Sequence, residues 1–179
     1  MNKTVNNRKK KSQEKIEKVF IQLMQKYEIN EITVSDICKL ASLNRTTFYA
    51  NYLDIYDLAD KIKDNMYNNM LDLYKEEAIR GEHSYNYLKL FKHIKDNQIY
   101  YKTMLKLKMD FSKYYTYDLV SKEALKFFGT TKNIEYHIEF FKAGMNAIIS
   151  KWLKNGCEES PEEIDEIIKT EYQKRNTID

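Results

Sequence analysis

Apolar side chains recur three and four positions apart along most of the chain, which is the spacing of amphipathic α-helices. The first stripe covers residues 16–27 and predicts a helix from about residue 10 to 28. Later stripes predict a long helix from residue 54 to Gly81 and helices at about 85–95, 98–107, 110–128 and 134–154. A last helix is predicted after Ser160, with Ser160 as its N-cap and Glu163 at the third helical position. With only four glycines and one proline, the chain is predicted to be all-α, with about nine helices.

Between the first and the long helix, the capping residues predict two short helices. Thr33 followed by Asp36 is a capping-box pattern, which begins the first of them. This helix is expected to stop near Ser42, and Asn44 is a good N-cap for a helix beginning at Arg45. Two short helices joined by a tight turn and braced by a preceding amphipathic helix form a helix-turn-helix. We place this motif at about residues 33–52.

The second short helix carries side chains that suit the DNA major groove, where the second helix of such a motif binds. Arginine pairs with guanine, asparagine pairs with adenine, and the threonine methyl group contacts thymine. No acidic residue occurs from Ser42 to Leu53, which favours a position beside phosphates. The candidate base-reading residues are Arg45, Thr46, Thr47, Tyr49 and Asn51. The alternative is a solvent-facing helical hairpin with a purely structural role.

Charge is concentrated at the N-terminus. The whole chain carries only +3, but residues 1–15 hold six basic residues and one acidic residue. This segment, which includes Lys9, Lys10 and Lys11, therefore suggests a polyanionic partner such as DNA. A solvated tail without a partner is the other interpretation.

The segment from Thr33 to Leu58, "TVSDICKLASLNRTTFYANYLDIYDL", resembles the DNA-binding signature of TetR-family transcriptional regulators. The matching positions are Thr33, Val34, Asp36, Ile37, Ala41, Thr47, Tyr49 and Leu58. Ser42 stands where the family has a turn glycine, so a residue with a Cβ has to adopt a backbone conformation that is less favourable for it. Ile55 stands where a lysine usually meets a phosphate, so we expect no phosphate to be bound by this position and the N-terminal lysines to compensate.

The resemblance implies two domains with different functions. Residues 1–58 would be the DNA-binding domain, and residues 59–179 a helical effector-binding and dimerisation domain. It adds Thr33 to the candidate DNA contacts, with Lys9 to Lys11 assisting. It also implies a cytoplasmic homodimer that represses transcription at a roughly palindromic operator and is released by a small-molecule effector. The alternative function is a non-catalytic helical adaptor.

Two sets of residues in the C-terminal part have a predicted role. Tyrosines crowd the central region, and an aromatic-lined pocket is one interpretation, with ordinary core packing as the other. The pocket candidates are Tyr85, Tyr100, Tyr101, Tyr114 and Tyr117. The helix around 134–154 has apolar residues on two faces. The first face consists of Ile134, Ile138, Phe141, Met145, Ile148 and Trp152. The second face and the last helix predict a dimer interface of Phe140, Gly144, Ala147, Ile164, Ile167 and Ile168.

Other chemistry finds little support in the sequence. The three histidines are scattered without metal-ligand spacing, and the four glycines form no phosphate-binding loop. Cys38 and Cys157 lie far apart and indicate a reduced protein, with redox sensing as a minor alternative. No apolar run is long enough to span a membrane. We therefore expect no enzyme activity, no cofactor, no metal and no membrane partner.

Overall fold

The computed structural model describes residues 3–80, 87–109 and 132–173, and within these ranges all regular structure is helical. This confirms the all-α class and the expected number of helices. The nine α-helices of these ranges are α1 (Lys3–Met24), α2 (Val34–Ala41), α3 (Arg45–Tyr49), α4 (Ile55–Leu73), α5 (Lys75–Ile79), α6 (Tyr87–Asp96), α7 (Gln98–Lys106), α8 (Ile134–Lys154) and α9 (Pro161–Gln173). A single turn of 3₁₀-helix spans Ile29–Glu31.

Helix α1 and the long predicted helix both differ from their predicted bounds. Helix α1 begins at Lys3 and ends at Met24, so the basic N-terminal segment is part of this helix from Lys3 onward. The predicted end at residue 28 is wrong because the chain turns there into the 3₁₀-helix, where the Glu31 carboxylate accepts the Glu28 N–H at 2.8 Å. The predicted helix from residue 54 to Gly81 is divided into α4 and α5 at Tyr74, whose N–H bonds to the Leu71 carbonyl three residues back.

Of the described residues, those numbered 3–67 and 99–109 form one compact unit. Its core is built from the apolar stripes of α1 to α4, and the fully buried side chains include Ile16, Phe20, Ile37, Phe48 and Leu58. Helix α7 joins this unit through the Gln25 side-chain amide, which donates to the Thr103 hydroxyl at 2.9 Å. The first three helices therefore rest on a shared core with the start of α4.

The described residues 68–80, 87–98 and 132–173 form the second compact unit. Its core contains Trp152, whose ring meets Phe91 edge-on with centroids 5.9 Å apart and whose Nε1 donates to the Glu159 carbonyl at 3.1 Å. The predicted inner stripe of α8 is corrected at two positions, because Ile134 and Ile148 are only half-buried, and Ile149 is buried next to Ile148. The predicted domain boundary at residue 58 stays a prediction.

The predicted cap of the last helix is present. The Ser160 hydroxyl accepts the Glu163 N–H at 3.1 Å, and the Glu163 carboxylate accepts the Ser160 N–H at 2.7 Å. The Ser160 N–H and the Ser160 hydroxyl, which donates to the same carboxylate at 2.7 Å, together hold the pKa of the Glu163 carboxyl below its usual range. The predicted helix at about 110–128 lies outside the described residues. None of the helices described above is both long and apolar enough to cross a membrane.

Candidate nucleic-acid interface

The turn between α2 and α3 is the structural centre of the candidate interface. At the start of α2, the Thr33 hydroxyl accepts the Asp36 N–H and the Asp36 carboxylate accepts the Thr33 N–H, both at 3.2 Å, as the capping-box pattern predicts. Helix α2 ends at Ser42, which has φ 53° and ψ 48°, the left-handed conformation that glycine adopts without strain. The Leu43 N–H then bonds to the Cys38 carbonyl at 2.9 Å. Serine therefore makes the glycine-type turn with a strained backbone.

Asn44 forms the predicted N-cap of α3. Its side-chain oxygen accepts the Thr47 N–H at 2.7 Å and the Thr47 hydroxyl at 2.8 Å. The Thr47 hydroxyl is thus engaged in the cap. Because a helix of five residues has little stability of its own, this cap matters to α3.

The outer side of α3 presents polar side chains to solvent. Arg45 and Thr46 are exposed, and Tyr49 is 55% exposed, while Phe48 of the same helix is completely buried. This is the arrangement expected of a helix that packs by one side and reads a groove with the other. Just after α3, Leu53 is 79% exposed and Tyr56 58% exposed. Sequence reasoning missed these two, although Leu53 lies outside every apolar stripe.

Asn51 has a different environment from the other candidate base readers. Its side-chain amide donates to the Thr47 carbonyl at 2.7 Å, and its side-chain oxygen is buried with no hydrogen-bond partner. This conformation ties Asn51 to α3 itself instead of presenting its amide to solvent. Contact of Asn51 with adenine stays a prediction and would require the side chain to rotate.

The other predicted DNA contacts lie on two elements. Lys9, Lys10 and Lys11 are exposed on α1, and Thr33 is exposed at the cap of α2. Ile55, which replaces the lysine of the family signature, is buried at the start of α4. It is therefore a core residue and presents no charge there.

The tyrosine pocket is only partly within the described residues. On α7, Tyr101 is buried and Tyr100 is 48% exposed. The other three candidates lie outside the described residues: Tyr85, Tyr114 and Tyr117. The pocket stays a prediction. A groove of ≈ 370 Å³ is found instead in the first unit, where α1, the 3₁₀-helix and α2 meet.

The residues predicted for the dimer interface fall into two groups. Phe140 is 59% exposed and Ile167 45% exposed, Ala147 is exposed, and Gly144 is half-buried. Ile164 and Ile168, in contrast, are buried inside the chain on α9, which packs on α6. The apolar surface left for a partner is therefore smaller than the sequence suggests. The interface itself stays a prediction.

The other reactive side chains of the described residues form no metal site, and the cysteine for which a shift is resolved is not activated. In the described part of the chain, no three His, Cys, Asp or Glu residues are grouped in a way that suits a metal ion. Cys38 and Cys157 are both buried. Burial raises the pKa of the Cys38 thiol, against the opposing effect of the Arg45 charge. A raised pKa lowers the thiolate fraction and with it the reactivity of Cys38.

Comparison with known families adds one finding. Residues 82–171, just over half of the chain, match a TetR-type family model described as "Transcriptional regulator C-terminal region". The match includes α6 to α8 and most of α9, so it is independent of the helix-turn-helix signature at residues 33–58. No curated protein matches the chain.

Proposed function

The chain belongs to the TetR family of transcriptional regulators, and we propose that it binds duplex DNA sequence-specifically as a homodimer. We propose further that it represses transcription and is released from its operator by a small-molecule effector. Regulators of this family are generally non-enzymatic. The adaptor interpretation leaves the match at residues 82–171 without a role, so DNA binding is the better candidate.

One observation carries the DNA-binding proposal. Helix α3 is capped at its start by Asn44, anchored in the core by Phe48, and exposed at Arg45, Thr46 and Tyr49. A helix held in this way projects its polar side chains as a rigid set, which is what readout of base edges requires.

Electrostatics supports the same proposal. Residues 42–53 contain Arg45 and no acidic side chain, so DNA phosphates would meet no repulsion there. The exposed lysines Lys9, Lys10 and Lys11 stand on a regular helix, α1, where their spacing is fixed by the backbone. Lysines of this kind supply sequence-independent affinity that falls with salt.

The homodimer follows from the need to read both halves of a palindrome. Two copies related by a two-fold axis would place two α3 helices about one helical turn of DNA apart, or a multiple of it. The exposed apolar residues Phe140, Ala147 and Ile167 supply an accessible surface for that contact. An isologous interface uses the same surface on both chains, so this one face is sufficient.

Selection from a random pool of duplex DNA, followed by binding measurements on the enriched sequence, tests the proposal. Arg45→Ala is expected to weaken binding to the selected sequence by about 1–3 kcal/mol and to relax preference at one base position per half-site. Lys154→Ala, which removes an exposed charge from α8, is the matched control and should bind like the unmodified protein. If the pool yields no enriched sequence, the DNA-binding proposal fails.

The lysines on α1 need a different test. Replacing Lys9, Lys10 and Lys11 together with glutamine removes three charges and keeps a good helix-forming residue at each position. Affinity for all DNA sequences should fall alike, and the slope of log affinity against log salt should flatten by about 0.9 for each phosphate that the variant no longer neutralises. An unchanged slope would show that these lysines do not meet phosphates.

A further inference from the structure

We propose that Lys61, on α4, is a positioning residue that holds the C-terminal end of α3 in its reading orientation. This inference rests on the proposed function, because it names a residue on which sequence readout depends without touching a base. Neither the family signature nor the apolar pattern singles out Lys61. The structure assigns it this role through three contacts.

The ammonium of Lys61 reaches across from α4 to the segment that follows α3. Its Nζ donates to the Asn51 carbonyl at 3.1 Å and to the Asp57 carboxylate at 2.8 Å. It also lies 5.1 Å from the centre of the Tyr52 ring, within range of a cation–π contact. One side chain thus contacts two consecutive residues at the exit of α3 and one residue of α4.

The partners of Lys61 are themselves tied to the surrounding helices. The Asp57 carboxylate also accepts the Leu53 N–H at 2.8 Å, and the bond from Lys61 lowers the pKa of Asp57. The Tyr52 hydroxyl donates to the Glu17 carboxylate on α1 at 2.9 Å. Residues 51, 52 and 53 are therefore each held by a side chain from another part of the first unit.

A short helix depends on contacts at its ends for stability more than a long one does. Helix α3 has five residues, and its N-terminus is already held by Asn44. Each contact at its other end limits fraying of the helix and pivoting on Phe48, since nucleation is costly and few internal bonds oppose these motions. A cation at the C-terminal carbonyls is also favoured by the helix dipole. Lys61 supplies both the tie and the charge.

The rival role for Lys61 is a direct phosphate contact, since its side chain is 47% exposed. The two roles predict different dependence on DNA sequence and on salt. A positioning residue affects the difference between specific and non-specific binding, whereas a phosphate contact affects both equally and contributes to the salt slope. This difference makes the inference testable on the intact protein.

The first experiment compares Lys61→Met with Lys63→Met on the selected operator and on an unrelated duplex. Lys63 pairs with Asp60 three residues back on the same helix, so its replacement removes an equal charge close to Lys61. We expect Lys61→Met to lower the affinity for the operator on the order of tenfold, as for a misplaced base contact. The affinity for the unrelated duplex and the slope of affinity against salt should stay unchanged. We expect Lys63→Met to change neither affinity, and Lys61→Arg to recover most of the affinity, since it keeps a donor and a charge.

Equal losses on both duplexes, with a flatter salt slope, would overturn the inference in favour of a phosphate contact. No loss on either duplex would overturn it as well. Thermal unfolding of both methionine variants fixes a temperature at which each is folded, and the binding comparison is made there.

The second experiment is independent of DNA. Hydrogen exchange over residues 45–53 is measured on the free protein, and we expect faster exchange in Lys61→Met than in Lys63→Met or the unmodified chain. Equal exchange in all three would overturn the positioning role. If the unmodified protein selects no DNA sequence but this segment still exchanges faster in Lys61→Met, the proposed function fails while the structural role of Lys61 stands.

Discussion

Ser42 offers a direct test of how the turn of the helix-turn-helix is made. Its φ of 53° and ψ of 48° lie in the left-handed region, and the side chain is exposed. This conformation costs a residue with a Cβ about 1–2 kcal/mol, whereas glycine adopts it freely. Glycine adds about 0.5–1 kcal/mol of backbone entropy to the unfolded chain, which opposes the gain.

The difference between these two quantities sets the size of the effect. Ser42→Gly is expected to raise the free energy of unfolding by roughly 0.5 kcal/mol. Ser42→Val should lower it by about 1–2 kcal/mol, because a β-branched side chain tolerates positive φ least. The predicted order of stability is therefore glycine, serine, valine.

Ser35 provides the matched control for this series. It is an exposed serine on α2 with ordinary helical geometry, so Ser35→Gly should lower stability by about 0.5 kcal/mol through reduced helix propensity. The same substitution thus has opposite signs seven residues apart. Urea unfolding followed by circular dichroism measures both, with the midpoints compared at equal m values. A loss of stability in Ser42→Gly as large as that in Ser35→Gly would refute the strain argument.

Three further outcomes are expected. Tyr52→Phe should lower stability by about 1–2 kcal/mol, because its hydroxyl bonds to a carboxylate on α1, while Tyr56→Phe at an exposed position should change thermal unfolding little. Because the pKa of Glu163 is lowered in the folded protein, its carboxylate contributes to the free energy of unfolding above its unfolded-state pKa of about 4.3. This contribution is lost as pH falls through the lower folded-state pKa, so Glu163→Gln should remove this part of the acid dependence of unfolding. Ala147→Glu should give a folded monomer with weak operator binding, and sedimentation of the unmodified protein as a monomer at micromolar concentration would contradict the dimer.

The sequence was most informative where a structural decision is local. The capping box of Thr33 and Asp36, the N-cap at Asn44 and the cap at Ser160 are all present as predicted. Each depends on a side chain bonding to a backbone group three residues away, so neighbouring residues are enough to specify it. The burial of Phe48 is equally local in origin, because it lies four residues before the buried Tyr52 and side chains four apart share a helix face.

Helix ends without strong caps were less predictable. The boundary between α4 and α5 falls at Tyr74, although the apolar pattern continues and no proline or glycine marks a break. Helix α1 reaches back to Lys3 over a polar segment that carries no stripe at all. Periodicity reports which face is buried but not how far the backbone hydrogen bonds continue.

What only the tertiary structure decided concerns residues far apart in the chain. The sequence by itself determined the all-α class, the short helices α2 and α3, and the set of polar residues on α3, because these depend on local periodicity and caps. It did not determine that Ile164 and Ile168 are buried on α9, which packs on α6, or that Lys61 reaches the end of α3. Those outcomes depend on how helices pack against one another, and packing selects among side-chain directions that the sequence pattern leaves equally open.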